Sequence, residues 1–231
     1  MPRSLDIIVP VFNEEESVDE FHDRMQRLGL ADALLFVDNA STDDTVARIV
    51  RHGSRLLRHT RNEGYGASIR HGIAASDGER IVIIDADLEY PPEAVPSVVA
   101  ALDRHPIVYA SRFLGAPPEM PPLRRAGNYV VSRLFNLLYR QHTTDLYTGM
   151  KGLRRSALPL GDLRRDGFEH GVELAALITV AGQRIHDVPV EYRPRQRGRS
   201  KMRHLPETAK LLAYLVRYWA RCVVFRMPLP P

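Results

Sequence analysis

Two aspartates two residues apart, Asp85 and Asp87, followed by Glu89, close the apolar run Ile81-Val-Ile-Ile. Four β-prone apolar residues without alternation are the pattern of a strand buried on both faces of a parallel sheet. In an extended chain, side chains at i and i+2 point the same way. The spacing therefore predicts that both carboxylates face one point just beyond the carboxyl end of the strand, where open α/β sheets place ligands. Two carboxylates there suit a hard divalent cation that also holds substrate phosphates. Helix-capping or turn acids ahead of Pro91-Pro92 are the alternative that this stretch alone leaves open.

The elements around this strand end follow from hydrophobic runs and breakers. Leu5 to Val11 reads as a strand, then a helix from Glu14-Glu-Glu16 to about Leu28, with acids in its first turn where the dipole favours them. Leu34 to Val37 is a second buried strand. Ser41 with Asp44 three residues on resembles a capping box for the next helix, and Arg55 to Arg58 is a short third strand. Arg61-Asn-Glu-Gly-Tyr-Gly66 is a turn whose glycines permit close backbone approach, with a helix to about Ala75. Pro92 to Asp103 reads as helix, Ile107 to Ala110 as strand, and Leu123 to Arg140 as a helix with Val130, Val131, Leu134, Leu137 and Leu138 on one apolar face. Thr148 to Arg154, Glu169 to Ala181 and Arg184 to Glu191 complete the series as strand, helix and strand.

Repeated βα units predict an α/β, Rossmann-like fold with a mostly parallel central sheet and helices on both faces. In such a sheet Asn13/Glu14, Asp38 and Asp85/Asp87 share one edge. A catalytic domain over 1–204 is expected, followed by an amphipathic helix over 205–231.

Composition bounds the setting. A chain of 231 residues can bury a sizeable core, and a single cysteine, Cys222, excludes an internal disulfide and fits a reducing compartment. The first residues run straight into a strand with no apolar leader, so a cytoplasmic location is expected. The net charge is +4, yet Arg195 to Arg203 places five cations in nine residues with no acid. Such a cluster attracts phosphates of nucleic acid, anionic lipid or a small substrate, or is a solvated loop. No zinc-finger, basic-zipper or RNA-recognition pattern supports nucleic acid.

Four strings, IIVPVFNEEESV, FVDNASTDDT, RNEGYGASIRHGI and IDADLEYPPE, resemble the family-two, A-type inverting glycosyltransferases. DADLEYPPE, SRFLG, TDLYTGMKGLRR and RQRGRSKM are similar to the dolichol-phosphate mannose synthase, or polyprenyl-phosphate, branch. The motifs span roughly residues 5 to 203. The resemblance implies a nucleotide-diphospho-sugar donor of the GDP-mannose or UDP-glucose type. It implies Mg²⁺ or Mn²⁺ held by Asp87 and Glu89, with Asp85 as ligand or sugar contact; Glu89 stands where well-known members carry glutamine. Pro10, Asn13 and Glu14 then border the nucleotide, Asp38 contacts the base, and Arg61 and Gly64 flank the donor. Asp38 as a turn residue is the alternative.

For the acceptor, the resemblance places Arg112, Arg125, Arg195 and Lys201 on a polyprenyl phosphate, with Ser200 donating a further bond and Arg124 a rival to Arg125. With Asp87, the residues Arg112, Arg125 and Lys201 form the expected catalytic set. A lipid phosphate is already ionised near neutral pH and needs no general base, whereas a sugar hydroxyl would need one. Asp145 and Glu173 are the carboxylates available for that role.

The Gln/Arg-x-x-Arg-Trp string of processive synthases is absent, and Pro-Val-Phe-Asn-Glu-Glu stands where a nucleotidyltransferase would carry a glycine-rich loop. A glycan or small-molecule hydroxyl acceptor, and a non-catalytic nucleotide-sugar-binding module, stay open as alternatives. From Pro206 to Arg226 a helix carries Leu211, Leu212, Leu215, Val216, Trp219 and Val223 on one face, interrupted by Lys210, Arg217, Arg221 and Arg226. It falls short of the roughly 18–20 apolar residues that span a bilayer. Peripheral contact with the cytoplasmic face of a membrane, with or without a separate transmembrane partner, is expected. Packing on its own domain or a second subunit is the other reading.

Overall fold

The computed structural model describes residues 4–115, 118–194 and 204–225, with side chains in the last segment from 210 onward. Strands β1 (Leu5–Val11), β2 (Leu34–Asp38), β3 (Arg55–Arg58), β4 (Arg80–Ile84), β5 (Ile107–Ser111), β6 (Met150–Arg154) and β7 (His186–Pro189) form one sheet in the order β3-β2-β1-β4-β6-β5-β7. β1 pairs in parallel with β2 and β4, β2 with β3, and β5 with β7. β6 lies antiparallel between β4 and β5. The α/β fold with a mostly parallel sheet is therefore as expected, but β6 runs against its neighbours. Its amino end reaches the edge where the other strands have their carboxyl ends.

The helices are α1 (Val18–Arg27), α2 (Thr45–Arg51), α3 (Tyr65–Ala75), α4 (Val95–Ala101), α5 (Pro122–Tyr139), α6 (His170–Val180) and α7 (His204–Tyr218), the last continued by a π-helical turn, Trp219–Val224. Strand alternation divides the core in two. Ile7, Val9, Phe36, Val82 and Ile84 pack with Phe21 and Met25 of α1 and Val95 and Val98 of α4. Ile8, Val37, Ile81 and Ile83 pack with residues of α3, α5, α6 and α7 on the other face.

Three local expectations change. α1 starts at Val18 because Glu14 to Ser17 form a turn: the Glu14 amide donates to Thr45 Oγ1 (2.8 Å) and its carbonyl accepts from Val18 N (3.0 Å). Ser41 does not cap α2. Its hydroxyl accepts from Asn13 N at 2.9 Å, while Asp43 Oδ1 takes the Thr45 amide at 3.0 Å. On α5, Val131 and Phe135 are buried, but Val130 and Leu137 are 56% and 77% exposed, because only a narrow stripe of the helix meets the core. The C-terminal helix packs on its own domain. Leu211, Leu215 and Tyr218 are buried with α5 and α6, and Tyr139 Oη donates to the Leu215 carbonyl at 2.8 Å. No helix among the described residues is long and apolar enough to cross a membrane.

α3 lies close on the sheet because Gly72 has no side chain. A Cβ there would come 2.5 Å from Ile8 Cγ2 and 3.1 Å from Val37 Cγ2. Overpacking of this kind costs about 1–3 kcal/mol. Gly72→Ala should lower the urea midpoint accordingly at unchanged slope, measured by equilibrium unfolding.

Candidate active site

A cleft of about 480 Å³ opens at the carboxyl edge of β1 and β4. Pro10, Glu14, Gly64, Asp85, Asp87, Glu89 and Arg112, all singled out by sequence, line it together with Arg124. Asn13, Asp38, Arg61 and Arg125 do not. Arg125 is exposed, so between the two neighbouring arginines the fold turns Arg124 inward. Arg195, Ser200 and Lys201 lie outside the described residues.

The acids converge by a turn rather than by the pleat. β4 ends at Ile84, Leu88 takes a left-handed φ of 64°, and Asp87 Oδ1 accepts the Glu89 amide at 3.0 Å. Asp85 and Asp87 therefore line one cleft by way of a turn, not by the i and i+2 alternation of a strand. Asp85 Oδ1 accepts from Tyr65 Oη at 2.9 Å. Burial, then the Asp87 charge, pushes the Asp85 carboxyl far above the carboxylate range. Lys151 faces it from β6, buried and pulled below the usual lysine range by that burial, while donating to the Thr148 carbonyl. Glu89 makes an ion pair with Arg124 at 3.5 Å.

A carboxylate cluster in which Asp87 and Glu89 raise the proton affinity of the buried Asp85 is a fitting donor set for a divalent cation. All-oxygen ligation suits Mg²⁺ or Mn²⁺.

Two loops flank the cleft. The Asn13 backbone is left-handed, with φ 53°, and its Oδ1 accepts the Thr42 amide at 2.8 Å, which ties the β1 exit to the β2 exit. Asp38 is fully buried. Its Oδ1 accepts the Ser41 amide at 3.1 Å, the turn role weighed from sequence, while its Oδ2 has no hydrogen-bond partner. On the far wall Arg112 and Asp145 form a buried bidentate pair, with Nε to Oδ2 at 2.7 Å and a terminal nitrogen to Oδ1 at 2.8 Å. The guanidinium also lies 5.8 Å from the Tyr90 ring centroid and 5.7 Å from that of Tyr192.

Comparison with known proteins decides the family. Residues 6–160 match the family described as Glycosyl transferase family 2. This chain belongs to glycosyl transferase family 2. An uncharacterized glycosyltransferase of Mycobacterium tuberculosis is 31% identical over 198 residues, covering 85% of this chain and 88% of that one. The undecaprenyl-phosphate 4-deoxy-4-formamido-L-arabinose transferase of Salmonella paratyphi B is 28% identical over 211 residues, 86% of this chain and 62% of that protein. Among solved structures, glucosyl-3-phosphoglycerate synthase of Mycobacterium tuberculosis, in a complex with Mn²⁺, UDP-glucose and phosphoglyceric acid, superposes with a TM-score of 0.72. It is 22% identical, and the match covers 94% of this chain and 80% of that one. That likeness concerns the fold.

Sequence reasoning missed several groups of this family 2 glycosyltransferase. Asn39, Tyr65, Tyr90, Lys151, Phe168 and His170 all line the cleft. A lysine within a buried strand, and a histidine opening an apolar helix, were the available signals. His170 is buried with neither ring nitrogen hydrogen-bonded, and burial, then Lys151 and Arg70, lower its pKa to about 3. It is a neutral imidazole with a donor and an acceptor to offer.

Breaking a buried ion pair costs about 3–5 kcal/mol because one charge is left uncompensated. Asp145→Ala should destabilise this glycosyltransferase by that order. The double change Arg112→Met, Asp145→Leu should recover much of the loss, read from thermal and urea unfolding of both variants.

Proposed function

We propose that the cleft binds a nucleotide-diphospho-sugar of the GDP-mannose or UDP-glucose type and transfers its hexose, with inversion, to a polyprenyl monophosphate. The observation that carries this reading is the meeting, in one cleft, of Asp85, Asp87 and Glu89 with Arg112 and Arg124. A Mg²⁺ or Mn²⁺ held by Asp87, with Asp85 and Glu89, would supply Lewis-acid stabilisation of the leaving diphosphate. In this reading Pro10, Glu14 and Gly64, which line the cleft, border the nucleotide, with Asn13 and Arg61 in the loops beside them. Asp38 Oδ2, which has no hydrogen-bond partner and lies 3.9 Å from Arg58 Nε, is the acceptor this reading offers to an N–H of the base. Lys151 and the neutral His170 face the sugar.

Arg112, with Arg124 or Arg125 and the segment carrying Arg195, Ser200 and Lys201, holds the acceptor phosphate. That acceptor needs no base. The two carboxylates otherwise available are engaged: Asp145 by Arg112, and Glu173 by the Arg164 and Arg165 amides at 3.0 and 2.9 Å. Similarity to an undecaprenyl-phosphate sugar transferase supports the lipid acceptor. The second reading, UDP-glucose with a small phosphorylated hydroxyl acceptor, is favoured by the phosphoglycerate complexes of the structural neighbour.

In this proposal 1–204 is the catalytic unit and 205–231 contributes to a membrane-facing side. Leu123, Val130 and Leu137, seven residues apart on α5, are exposed, as are Val216, Val223, Val224 and Phe225. Arg133, Arg140 and Arg217 are exposed on or beside the same helices. An apolar row with basic neighbours suits peripheral contact with an anionic leaflet on the cytoplasmic side, alone or beside a separate transmembrane partner.

The test offers radiolabelled UDP-glucose or GDP-mannose with undecaprenyl phosphate in mixed micelles, or with 3-phosphoglycerate. Label should enter lipid, fall to background in chelator or in Asp87→Asn, and return to the intact protein with Mn²⁺. A charge-assisted contact to phosphate is worth about 1.5–3 kcal/mol, so Lys201→Ala should cost roughly 10- to 100-fold in acceptor efficiency with donor affinity little changed. Label in phosphoglycerate alone would replace the lipid reading with the second one.

A further inference from the structure

Behind the cleft wall, at the exit of β3, His59 meets Glu63 of the following loop and His71 of α3. The three offer ligand atoms that all lie within 4.8 Å of one another. The hydrogen bonds around them define how each group is presented. Asn39 Oδ1 accepts the Glu63 amide at 2.8 Å, so that atom is the oxygen. Asn62 Oδ1 accepts the Gly64 amide at 3.1 Å and the Asn39 side-chain nitrogen at 2.9 Å, which gives the same orientation independently. The His59 Nδ1, 3.1 Å from Asn39 Oδ1, must then be the donor. In neutral His59 the lone pair is on Nε2, which points at His71 Nδ1 only 2.9 Å away.

We propose that His59 Nε2, His71 Nδ1 and a Glu63 carboxylate oxygen bind a transition-metal ion of the Zn²⁺ class, at a site separate from the carboxylates of the cleft. Two imidazoles, borderline-soft nitrogen ligands, select Zn²⁺ over Mg²⁺, and Zn²⁺ also accepts a carboxylate beside them. Two nitrogens sharing one tetrahedral Zn²⁺, each at about 2.0–2.1 Å, stand about 3.3 Å apart. The observed 2.9 Å needs only a slight opening. His71 moves its proton from Nδ1 to Nε2, which leaves both imidazoles neutral, and Glu63 supplies the negative charge.

Asn39 plays the outer-shell part that orients metal-bound histidines in general. Burial of His59 favours its neutral, ligating form. The Glu63 and His71 side chains are 31% and 34% exposed, which gives an ion a way in and leaves a fourth position for water. Ligation would tie the end of β3, the loop and α3 together. That loop carries Asn62 and Gly64, which line the cleft, so the ion would stiffen a wall of the proposed donor site.

The deciding measurement is a Co²⁺ titration of untagged protein in saturating Mg²⁺, followed in the visible, where four-coordinate Co²⁺ absorbs strongly and six-coordinate Co²⁺ weakly. One equivalent should develop the intense band and Zn²⁺ should displace it. His71→Gln should abolish it and Glu63→Gln should weaken it, with far-ultraviolet dichroism showing both variants folded. Asp87→Asn should retain it. No intense band in the unaltered protein, a band unchanged in His71→Gln, or a band lost in Asp87→Asn overturns the proposal.

Discussion

The Arg112–Asp145 pair is the interaction on which the site depends. Arg112 follows the last residue of β5, and Asp145 precedes β6 by five residues, so their bidentate contact joins two neighbouring strands at the edge where the cleft opens. Both side chains are almost wholly buried, at 3% and 0% exposure. Such a pair adds little net stability but enforces one arrangement, because any slip leaves a charge without its partner. The Arg112 guanidinium also donates to the Tyr147 carbonyl at 3.3 Å, just ahead of Gly149 and Lys151. A side chain at 149 would meet Asp85 Oδ2 at 2.8 Å, so the loop between Asp145 and β6 lies directly against the acidic centre.

That loop sets up the electrostatics. Burial and the neighbouring Asp87 charge both raise the proton affinity of Asp85. Lys151 gives partial compensation from the antiparallel strand. A divalent ion would supply far more charge at the same point, and the pyrophosphate of a donor would balance it in turn. Arg112 is held by Asp145 and lies near the rings of Tyr90 and Tyr192, so its charge is fixed at the cleft wall. Preorganised charge of this kind needs no rearrangement at the moment of reaction.

The helices divide the work differently. α3 and α6 pack on the sheet and bring Tyr65 and His170 to the cleft. α5 and α7 pack on each other through Phe135, Tyr139, Leu211 and Leu215, and leave a second apolar row outward. A helix buried on one side needs only one apolar stripe. The extra row on α5 has no packing role in the described structure.

The strands, their order of appearance and the acids at their ends were legible in the sequence, because local apolar runs and breakers set them. The first and third strands match residue for residue, and the resemblance carried by IDADLEYPPE and its companions points to the family that comparison established. What local pattern could not carry is direction and depth. A short apolar strand reads the same whether it runs with or against its neighbours, so the reversal of β6, and with it the arrival of Lys151 beside Asp85, belongs to the tertiary structure. Arg124 and Arg125 are adjacent on one helix and chemically equivalent, and only the packing of α5 turns one inward. The two apolar faces of α5 likewise look alike as sequence. Which of them is buried depended on where α7 comes to lie.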